Sequence, residues 1–230
     1  MPVLKVALTG GIATGKSVVA RVLKRHGCFV ESADLIARGL MSPGRRAWRE
    51  VAGHFGPSIL NPDRTINRSK LASIVFSVEA ERRFLNSVVH PLVMAEKLRT
   101  IRRLEKLGRG RIFVSEAALT LEAGLAGFFD RIIVTDCPVE LQVRRLMDRD
   151  GLSRADARRR IYVQLPRAAR VRRADYIIDT SGTLERTIGQ AEQVVARLRE
   201  DYRRLRAGGA EFGGDGLRLR TAGRRPKAGP

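Results

Sequence analysis

The fold is decided by residues 7–20, ALTGGIATGKSVVA, where the residue pattern changes in the middle. Small and apolar residues run into a glycine-rich loop, and beyond it apolar residues recur at helical spacing, at Val18, Val19, Val22 and Leu23. Gly27 follows the last of them, where a helix commonly ends. The stretch therefore predicts a β-strand, a loop and an α-helix that begins near Lys16.

The loop has the spacing of a phosphate-binding loop, because Gly10, Gly15, Lys16 and Ser17 satisfy G-x-x-x-x-G-K-S between a strand and a helix. Glycines let successive backbone N–H groups turn inward around a phosphate, and the helix N-terminus adds partial positive charge there. The Lys16 ammonium suits the β- and γ-phosphates, and the Ser17 hydroxyl suits Mg²⁺. We therefore expect a nucleoside triphosphate bound by Gly11, Ile12, Ala13, Thr14, Gly15, Lys16, Ser17 and Val18.

Length and composition predict a globular chain. Its 230 residues, 43% of them hydrophobic, suffice for one domain with an appended subdomain. The sequence has neither a run of about eighteen apolar residues nor the pattern of a signal peptide, so we expect a cytoplasmic protein without a membrane segment. Cys28 and Cys137 lie in separate apolar runs, which favours buried, reduced thiols.

The charge is strongly positive, with 44 basic and 24 acidic residues, and favours polyanionic partners such as nucleotides, phosphorylated metabolites or nucleic acid. Residues 144–173 hold eleven arginines and three acidic residues. These arginines either cover a solvated pair of helices or face phosphate groups, some of them from a mobile segment. Their spacing does not separate the two interpretations.

Short apolar runs alternate with helical patterns along the chain, which predicts right-handed crossovers and a mostly parallel sheet covered on both faces. The five predicted strands are 4–8, 28–31, 111–114, 131–135 and 176–178. Residues 40–100 contain no convincing strand and are predicted to be a helical insertion, with Pro43, Pro57, Pro62 and Pro91 separating its helices. A last helix is expected over 184–206, followed by a disordered basic tail, 207–230, so that 1–206 forms a single domain.

Carboxylates that follow strands are candidates for the proton-accepting group of a phosphoryl transfer. Asp34 follows the second strand and is either this base, the N-cap of the next helix, or both. Glu116 and Glu122 follow the third strand and could contact a Mg²⁺-bound water or the substrate, or only carry surface charge. Asp136 and Asp179 suit helix caps or turns equally well.

An ordered set of motifs carries a resemblance over about residues 3–198. The motifs are ALTGGIATGKS, ADLIARGLMSPG, INRSKLASIVF, VVHPL, EAGL, RRLMDRDGLS, ARRRIYVQLP and ADYIIDTSG. In this succession they resemble the bacterial dephospho-coenzyme A kinase family. The resemblance implies a P-loop kinase fold with a five-stranded parallel sheet, a helical substrate-binding insertion and an arginine-rich lid near residues 144–173.

The implied reaction transfers the γ-phosphate of ATP, with Mg²⁺, to the ribose 3′-hydroxyl of dephospho-coenzyme A, the last step of coenzyme A biosynthesis. By matching position, Asp34 is the base, and Lys16 and Arg149 act on the transferring phosphate. Thr180 and Gly182 border the adenine. The resemblance also implies that Arg68 and His90 bind the acceptor, although His90 before Pro91 also suits a packing or capping role. Glu116, after the third strand, is counted with them as a substrate-binding residue on its position alone.

The chain departs from the family pattern at a few positions. Ser32 stands where an aspartate is common, residues 117–122 read AALTLE without the usual proline, Ala13-Thr14 replaces Gly-Ser, and Met94 stands where a basic residue often follows the His-Pro pair. These changes could weaken substrate affinity without altering the reaction type.

The alternative function is that of another P-loop small-molecule or nucleoside kinase, which would share the donor site and differ in the acceptor pocket. A specific nucleic-acid-binding protein is disfavoured, because only 5% of residues are aromatic and none are interleaved with basic residues for stacking bases. A GTPase is disfavoured because an NKxD-type motif is missing. The expected partners are ATP and dephospho-coenzyme A, with a monomer or weak homo-oligomer as the active form.

Overall fold

The computed structural model describes residues 1–108 and 111–208. Within these ranges the strands are β1 (Leu4–Gly10), β2 (Phe29–Ser32), β3 (Ile112–Glu116), β4 (Arg131–Asp136) and β5 (Tyr176–Asp179). The helices are α1 (Lys16–Arg25), α2 (Ala33–Leu40), α3 (Arg46–Phe55), α4 (Arg68–Ser77), α5 (Glu79–Leu107), α6 (Val139–Asp150), α7 (Arg154–Tyr162), α8 (Arg167–Arg172) and α9 (Leu184–Arg206).

The strands form one sheet in the order β2-β3-β1-β4-β5. β1 pairs in parallel with both β3 and β4, and β4 pairs in parallel with β5. The register places Leu8 beside Glu116, Gly10 beside Thr135, and Asp136 beside Asp179. The carboxyl ends of these strands therefore meet at one edge, where parallel α/β sheets bind ligands.

The predicted α/β class and the five strands are confirmed, with strand ends that differ by one or two residues. The first and last predicted helices, near Lys16 and over 184–206, are also present as α1 and α9. Of the predicted tail, Ala207 and Gly208 form a turn after α9, and 209–230 lie outside the described residues.

β1 lies in the middle of the sheet because its side chains are buried on both faces. Leu4, Val6 and Leu8 pack in a cluster with residues of α1, β5 and α9. Ala7 points to the opposite face and packs with Leu121, Phe129, Ile132 and Val134. Successive side chains of a strand face opposite sides, so the apolar residues Val6, Ala7 and Leu8 can fill both.

An aspartate directly precedes β4 and another directly precedes β5, and each accepts a backbone N–H from the neighbouring strand. Asp130 precedes β4, and its carboxylate accepts the Lys5 N–H at 2.7 Å. Asp175 precedes β5, and its carboxylate accepts the Ile132 N–H at 2.7 Å. The Lys5 ammonium lies 3.5 Å from Asp130, whereas burial raises the pKa of Asp175 above its ordinary value despite the nearby Arg131.

The chain forms two compact units. One comprises Met1–Glu31 and the described residues from Gly108 onward, and the other is the insertion Ser32–Leu107. The insertion has its own core, in which the Trp48 indole N–H donates to the Arg64 carbonyl at 2.8 Å. The core residues are Trp48, Val51, Ile59, Ile66, Leu71 and Val75.

Pro91 does not separate two helices, as its position had suggested, but lies inside α5. Proline removes one backbone donor and disturbs a single turn. The buried face of α5 continues on both sides of it, with Val89 and Val93 inside the fold. This packing supports one helix of 29 residues through the proline.

Both cysteines are buried free thiols, as expected. Burial raises the pKa of the Cys28 thiol to about 11 and also raises the pKa of Cys137. Within residues 1–108 and 111–208, no helix has the length and apolar composition needed to cross a membrane.

Asp175→Asn should stabilise the protein at neutral pH. A carboxyl whose pKa is raised by folding stabilises fully below its unfolded pKa, and that contribution is lost as pH rises through the folded pKa. Asparagine keeps an acceptor for the Ile132 N–H without a buried charge, so we expect a melting temperature roughly 2–4 °C higher at pH 7. The difference should vanish near pH 3.5, measured by thermal unfolding across pH.

Asp130→Asn is the matched control, because it keeps the same type of backbone contact and loses an ion pair with Lys5. Its melting temperature at pH 7 should not exceed that of the unmodified protein. Equal melting temperatures for Asp175→Asn and the unmodified protein at pH 7 would show that the Asp175 charge costs nothing.

Candidate functional site

The loop between β1 and α1 is pressed against the end of β4. Gly10 has φ 151°, and a Cβ there would lie 2.3 Å from the Thr135 hydroxyl oxygen, so no larger residue fits. Gly15 takes the left-handed conformation, with φ 76°, directly before α1. These two glycines therefore serve a close approach and a turn that side chains would obstruct.

Hydrogen bonds of the Thr14 hydroxyl hold the interior of the loop in place. Its hydroxyl lies 2.7 Å from both the Gly11 carbonyl oxygen and the Thr135 hydroxyl. The Lys16 ammonium donates to the carbonyl oxygens of Gly10 and Gly11, each at 3.0 Å. The threonine that replaces the usual serine thus fits, because its buried hydroxyl is hydrogen-bonded to both Gly11 and Thr135.

Ala13 is one of two non-glycine residues with positive φ among the described residues, at 60°. Left-handed backbone costs an L-residue about 1–2 kcal/mol, which explains why glycine is usual here. The side chains of Ile12 and Ala13 pack against Val143, Leu146, Ala157 and Ile161 of α6 and α7. The alanine therefore offsets part of its strain by contact with these helices.

A cavity of about 510 Å³ opens beside the loop and collects most of the predicted nucleotide residues. Ser17 and Glu116 place oxygen donors on its wall, which are the ligands Mg²⁺ prefers. The predicted residues that line the cavity are Ala13, Thr14, Gly15, Lys16, Ser17, Val18, Glu116, Arg149, Thr180 and Gly182. Leu184, Thr187 and Arg145 complete it.

Arg145 joins the two sides of this cavity, a role that the sequence pattern did not single out. Its guanidinium donates to the Thr180 carbonyl oxygen at 2.7 Å and to the Ala13 carbonyl oxygen at 3.2 Å. The Thr180 hydroxyl also donates to the Thr14 carbonyl oxygen at 3.0 Å. The segment after β5 is thereby fixed to the phosphate-binding loop.

Arg149 lines the cavity one helical turn beyond Arg145 and is held by the next residue. Its guanidinium makes two bonds to the Asp150 carboxylate, at 2.7 and 2.9 Å. Arg149 holds the pKa of Asp150 below its ordinary value, and Arg160 lies 3.5 Å from the same carboxylate. Gly151, with φ 64°, ends α6 directly after this pair.

The arginine-rich window divides between the two interpretations drawn from the sequence. Arg154 and Arg158 both pair with Glu140, and Arg159 pairs with Asp156, all on exposed helix surfaces. Arg145 and Arg149 instead face the cavity. The window is therefore mainly a self-paired surface that also supplies two cavity-facing cations.

The aspartates at the ends of β4 and β5 hold neighbouring segments. The Asp179 carboxylate accepts the Ser181 N–H at 2.9 Å, which confirms a turn role beside Thr180. Asp136 is neither a cap nor a turn residue, because its carboxylate binds the Arg167 guanidinium at 2.5–2.9 Å. Glu122 accepts the Leu165 N–H at 3.1 Å, which places it among the supports of the segment before α8.

The remaining predicted residues, Asp34, Arg68 and His90, belong to the insertion. Ser32 is the N-cap of α2, since its hydroxyl accepts the Leu35 N–H, which rules out the alternative that Asp34 caps this helix. Asp34 lies exposed in the first turn, where its negative charge suits the helix dipole. Arg68 begins α4 and is exposed.

His90 is half-buried in the middle of α5. Burial lowers the pKa of its imidazole, and the Lys97 cation on the same helix lowers that pKa further. The ring is therefore neutral at pH 7 and offers one donor and one acceptor, not a charge.

Comparison with known proteins identifies one family. A family model described as dephospho-CoA kinase matches residues 4–186. The dephospho-CoA kinase of Corynebacterium glutamicum is 38% identical over 195 residues, covering 85% of this chain and 97% of that protein. The Geobacillus kaustophilus dephospho-CoA kinase is 39% identical, covering 86% of this chain and 96% of that one.

Solved structures agree. A Thermus thermophilus protein superposes with a TM-score of 0.74 at 28% identity, covering 86% of this chain and 98% of that chain. The dephospho-CoA kinase from Campylobacter jejuni superposes with a TM-score of 0.63 at 26% identity, with the same coverage.

Ala13→Gly should leave the free energy of unfolding within about 1.5 kcal/mol of the original value. Relief of about 1–2 kcal/mol of strain is opposed by loss of a partly buried methyl, at most about 0.8 kcal/mol, and by the greater freedom of unfolded glycine, about 0.4–1 kcal/mol. Denaturant unfolding measures the balance.

Ala13→Val is the contrasting variant, because a β-branched residue with positive φ is strained further. Its free energy of unfolding should be lower than that of the unmodified protein by at least about 2 kcal/mol. A valine variant as stable as the alanine protein would show that residue 13 is free to leave the left-handed conformation.

Proposed function

We infer that this chain, which belongs to the dephospho-coenzyme A kinase family, transfers the γ-phosphate of ATP to the ribose 3′-hydroxyl of dephospho-coenzyme A. The observation that carries the inference is the family match over residues 4–186, which spans the phosphate-binding loop, the insertion and the segment after β5. A different small-molecule or nucleoside kinase is not favoured, because the family model and the curated relatives are dephospho-CoA kinases.

The donor half of the reaction is proposed for the cavity beside α1. Backbone N–H groups of the loop bind the phosphates, and Lys16 supplies a cation close to the Gly10 and Gly11 carbonyls. Arg149 adds a second cation from α6, released from Asp150 when phosphate competes for it. Thr180, fixed to the loop through Arg145, borders the adenine together with Gly182.

Mg²⁺ is part of the proposal, because oxygen donors suited to it stand on the cavity wall. The Ser17 hydroxyl would bind it directly, and the Glu116 carboxylate would bind it directly or through water. When bound, the ion neutralises charge on the β- and γ-phosphates during transfer.

The acceptor half is proposed for the insertion. Asp34 accepts the proton of the 3′-hydroxyl as the new P–O bond forms, and its exposed position in the first turn of α2 leaves the carboxylate accessible. Exposed Arg68 suits an acceptor phosphate, and neutral His90 suits a hydrogen bond. A cytoplasmic location and a monomeric or weakly associated enzyme complete the proposal, since ATP is supplied in the cytoplasm.

The proposed activity is tested by ADP release with Mg-ATP and a panel of acceptors. Dephospho-coenzyme A should be converted to coenzyme A, seen by mass as one added phosphate, whereas adenosine, other nucleosides and shikimate should not react. Turnover of another acceptor, without turnover of dephospho-coenzyme A, would show that the protein is a kinase with a different substrate.

Lys16→Ala should fold normally and lose turnover by at least about 100-fold, because it removes a charge that stabilises the transferring phosphate.

Asp34→Asn should lower kcat by about 10²–10⁴-fold, the range expected for loss of a general base. The KM for ATP should change by less than about threefold, because Asp34 is assigned to the acceptor and not to the nucleotide. Steady-state kinetics with both substrates varied measures the two effects separately.

Glu50→Gln is the matched control, since Glu50 is another carboxylate of the insertion and pairs with Arg46 on the α3 surface. It should retain full kcat. An Asp34→Asn enzyme that also retains kcat would remove Asp34 from the base role.

A further inference from the structure

The first half of the phosphate-binding loop is held by a side chain outside the cavity lining described above. Residues 163–166, named here the lid connection, join α7 to α8. Within it, the Gln164 side-chain oxygen accepts the Ile12 N–H at 2.7 Å. Loops of this type commonly turn their N–H groups toward phosphate, so an N–H bonded to a glutamine instead calls for a reason.

The reason lies in the peptide unit between Gly11 and Ile12. In a planar trans peptide the N–H and the C=O point in opposite directions, so fixing one fixes the other. The carbonyl of this unit belongs to Gly11, and it accepts the Thr14 hydroxyl at 2.7 Å and the Lys16 ammonium at 3.0 Å. Gln164 therefore orients, through one rigid peptide, the oxygen that holds Lys16.

Gln164 is itself well placed to act as a fixed point. The Leu165 N–H donates to Glu122 at 3.1 Å, and Arg167 pairs with Asp136 at the end of β4. Arg170 is buried and donates to the Leu165 carbonyl oxygen. The residues that follow Gln164 are thus held to the end of β4 by Arg167, to the segment after β3 by Leu165, and to α8 by Arg170.

Packing on the other side of the peptide is apolar. Ile12 and Ala13 lie against the cluster formed by α6 and α7, including Val143 and Ile161. Apolar contacts resist displacement but do not set the direction of a carbonyl, because they are non-directional. A hydrogen bond does set that direction, and Gln164 supplies it.

We propose that Gln164 is a positioning residue for phosphoryl transfer: it fixes the Gly11–Ile12 peptide and thereby places the Lys16 ammonium. This deepens the proposed function and rests on it. The glutamine touches neither nucleotide nor acceptor in this account. Its effect reaches the phosphates through Lys16 and links the lid connection to the loop.

The test is a double-mutant cycle with Gln164→Met, which keeps the length of the side chain and removes the acceptor. We expect loss of this hydrogen bond to produce about a tenfold change, which is equivalent to about 1.4 kcal/mol. We expect kcat with dephospho-coenzyme A to fall about tenfold and ATP affinity, measured by titration calorimetry, to fall by a similar factor. In a Lys16→Met background, Gln164→Met should change ATP affinity by less than about twofold.

Two further variants separate positioning from general support. Val163→Met changes the exposed residue next to Gln164 in the lid connection but leaves the Ile12–Gln164 bond, so it should change ATP affinity less than about twofold. Gln164→Glu keeps an acceptor for the Ile12 N–H, so its kcat should exceed that of Gln164→Met and approach the original value as salt screens the added charge. Thermal unfolding verifies that each variant is folded.

The outcomes are distinct. An unmodified enzyme that does not phosphorylate dephospho-coenzyme A would overturn the proposed function, and the ATP-affinity cycle would still test Gln164. Equal losses for Gln164→Met in the presence and absence of Lys16 would overturn the positioning role, as would a Val163→Met enzyme as impaired as Gln164→Met. Unchanged kcat and affinity in Gln164→Met would do the same.

Discussion

The hydrogen bond between the hydroxyls of Thr14 and Thr135, 2.7 Å long and buried, fixes the phosphate-binding loop to the end of β4. It forms because Gly10 has no side chain to keep the two strands' ends apart. The same Thr14 hydroxyl bonds to the Gly11 carbonyl, which in turn accepts the Lys16 ammonium. The cation of the site therefore depends on a hydroxyl pair formed between residues 121 positions apart in the chain.

Electrostatics at the site depends on which arginines have acidic neighbours. The chain has a formal charge of +20, yet much of the arginine-rich window is paired within its own helices, by Glu140, Asp150 and Asp156. Arg149 is both paired with Asp150 and part of the cavity lining, so a polyphosphate bound in the cavity would compete with Asp150 for it. Exposed ion pairs of this kind contribute only about 0–1 kcal/mol in water, so exchange of the Asp150 carboxylate for a phosphate would cost little free energy.

Periodicity and loop chemistry were sufficient to predict the strands, α1, α9 and the phosphate-binding loop, because these depend on local sequence and on apolar burial. They failed where a single residue had two local roles. Pro91 was expected to end a helix, but the buried face of α5 supports the helix through it. Asp34 was a candidate N-cap, but Ser32 holds that position with its hydroxyl. The packing of α5 decided the first outcome, and the position of the Ser32 hydroxyl decided the second. Residue spacing encodes neither.

By itself the sequence determined that a strand, a phosphate-binding loop and a helix follow one another, and that a set of motifs over about residues 3–198 resembles one kinase family. Only the tertiary structure decided that Arg145 joins Ala13 to Thr180 and that Gln164 holds the Ile12 N–H. The physical reason is distance along the chain. Glycine spacing acts within one turn of backbone, whereas the partners of Ile12 and Ala13 lie 152 and 132 residues away and meet them only when the sheet has formed.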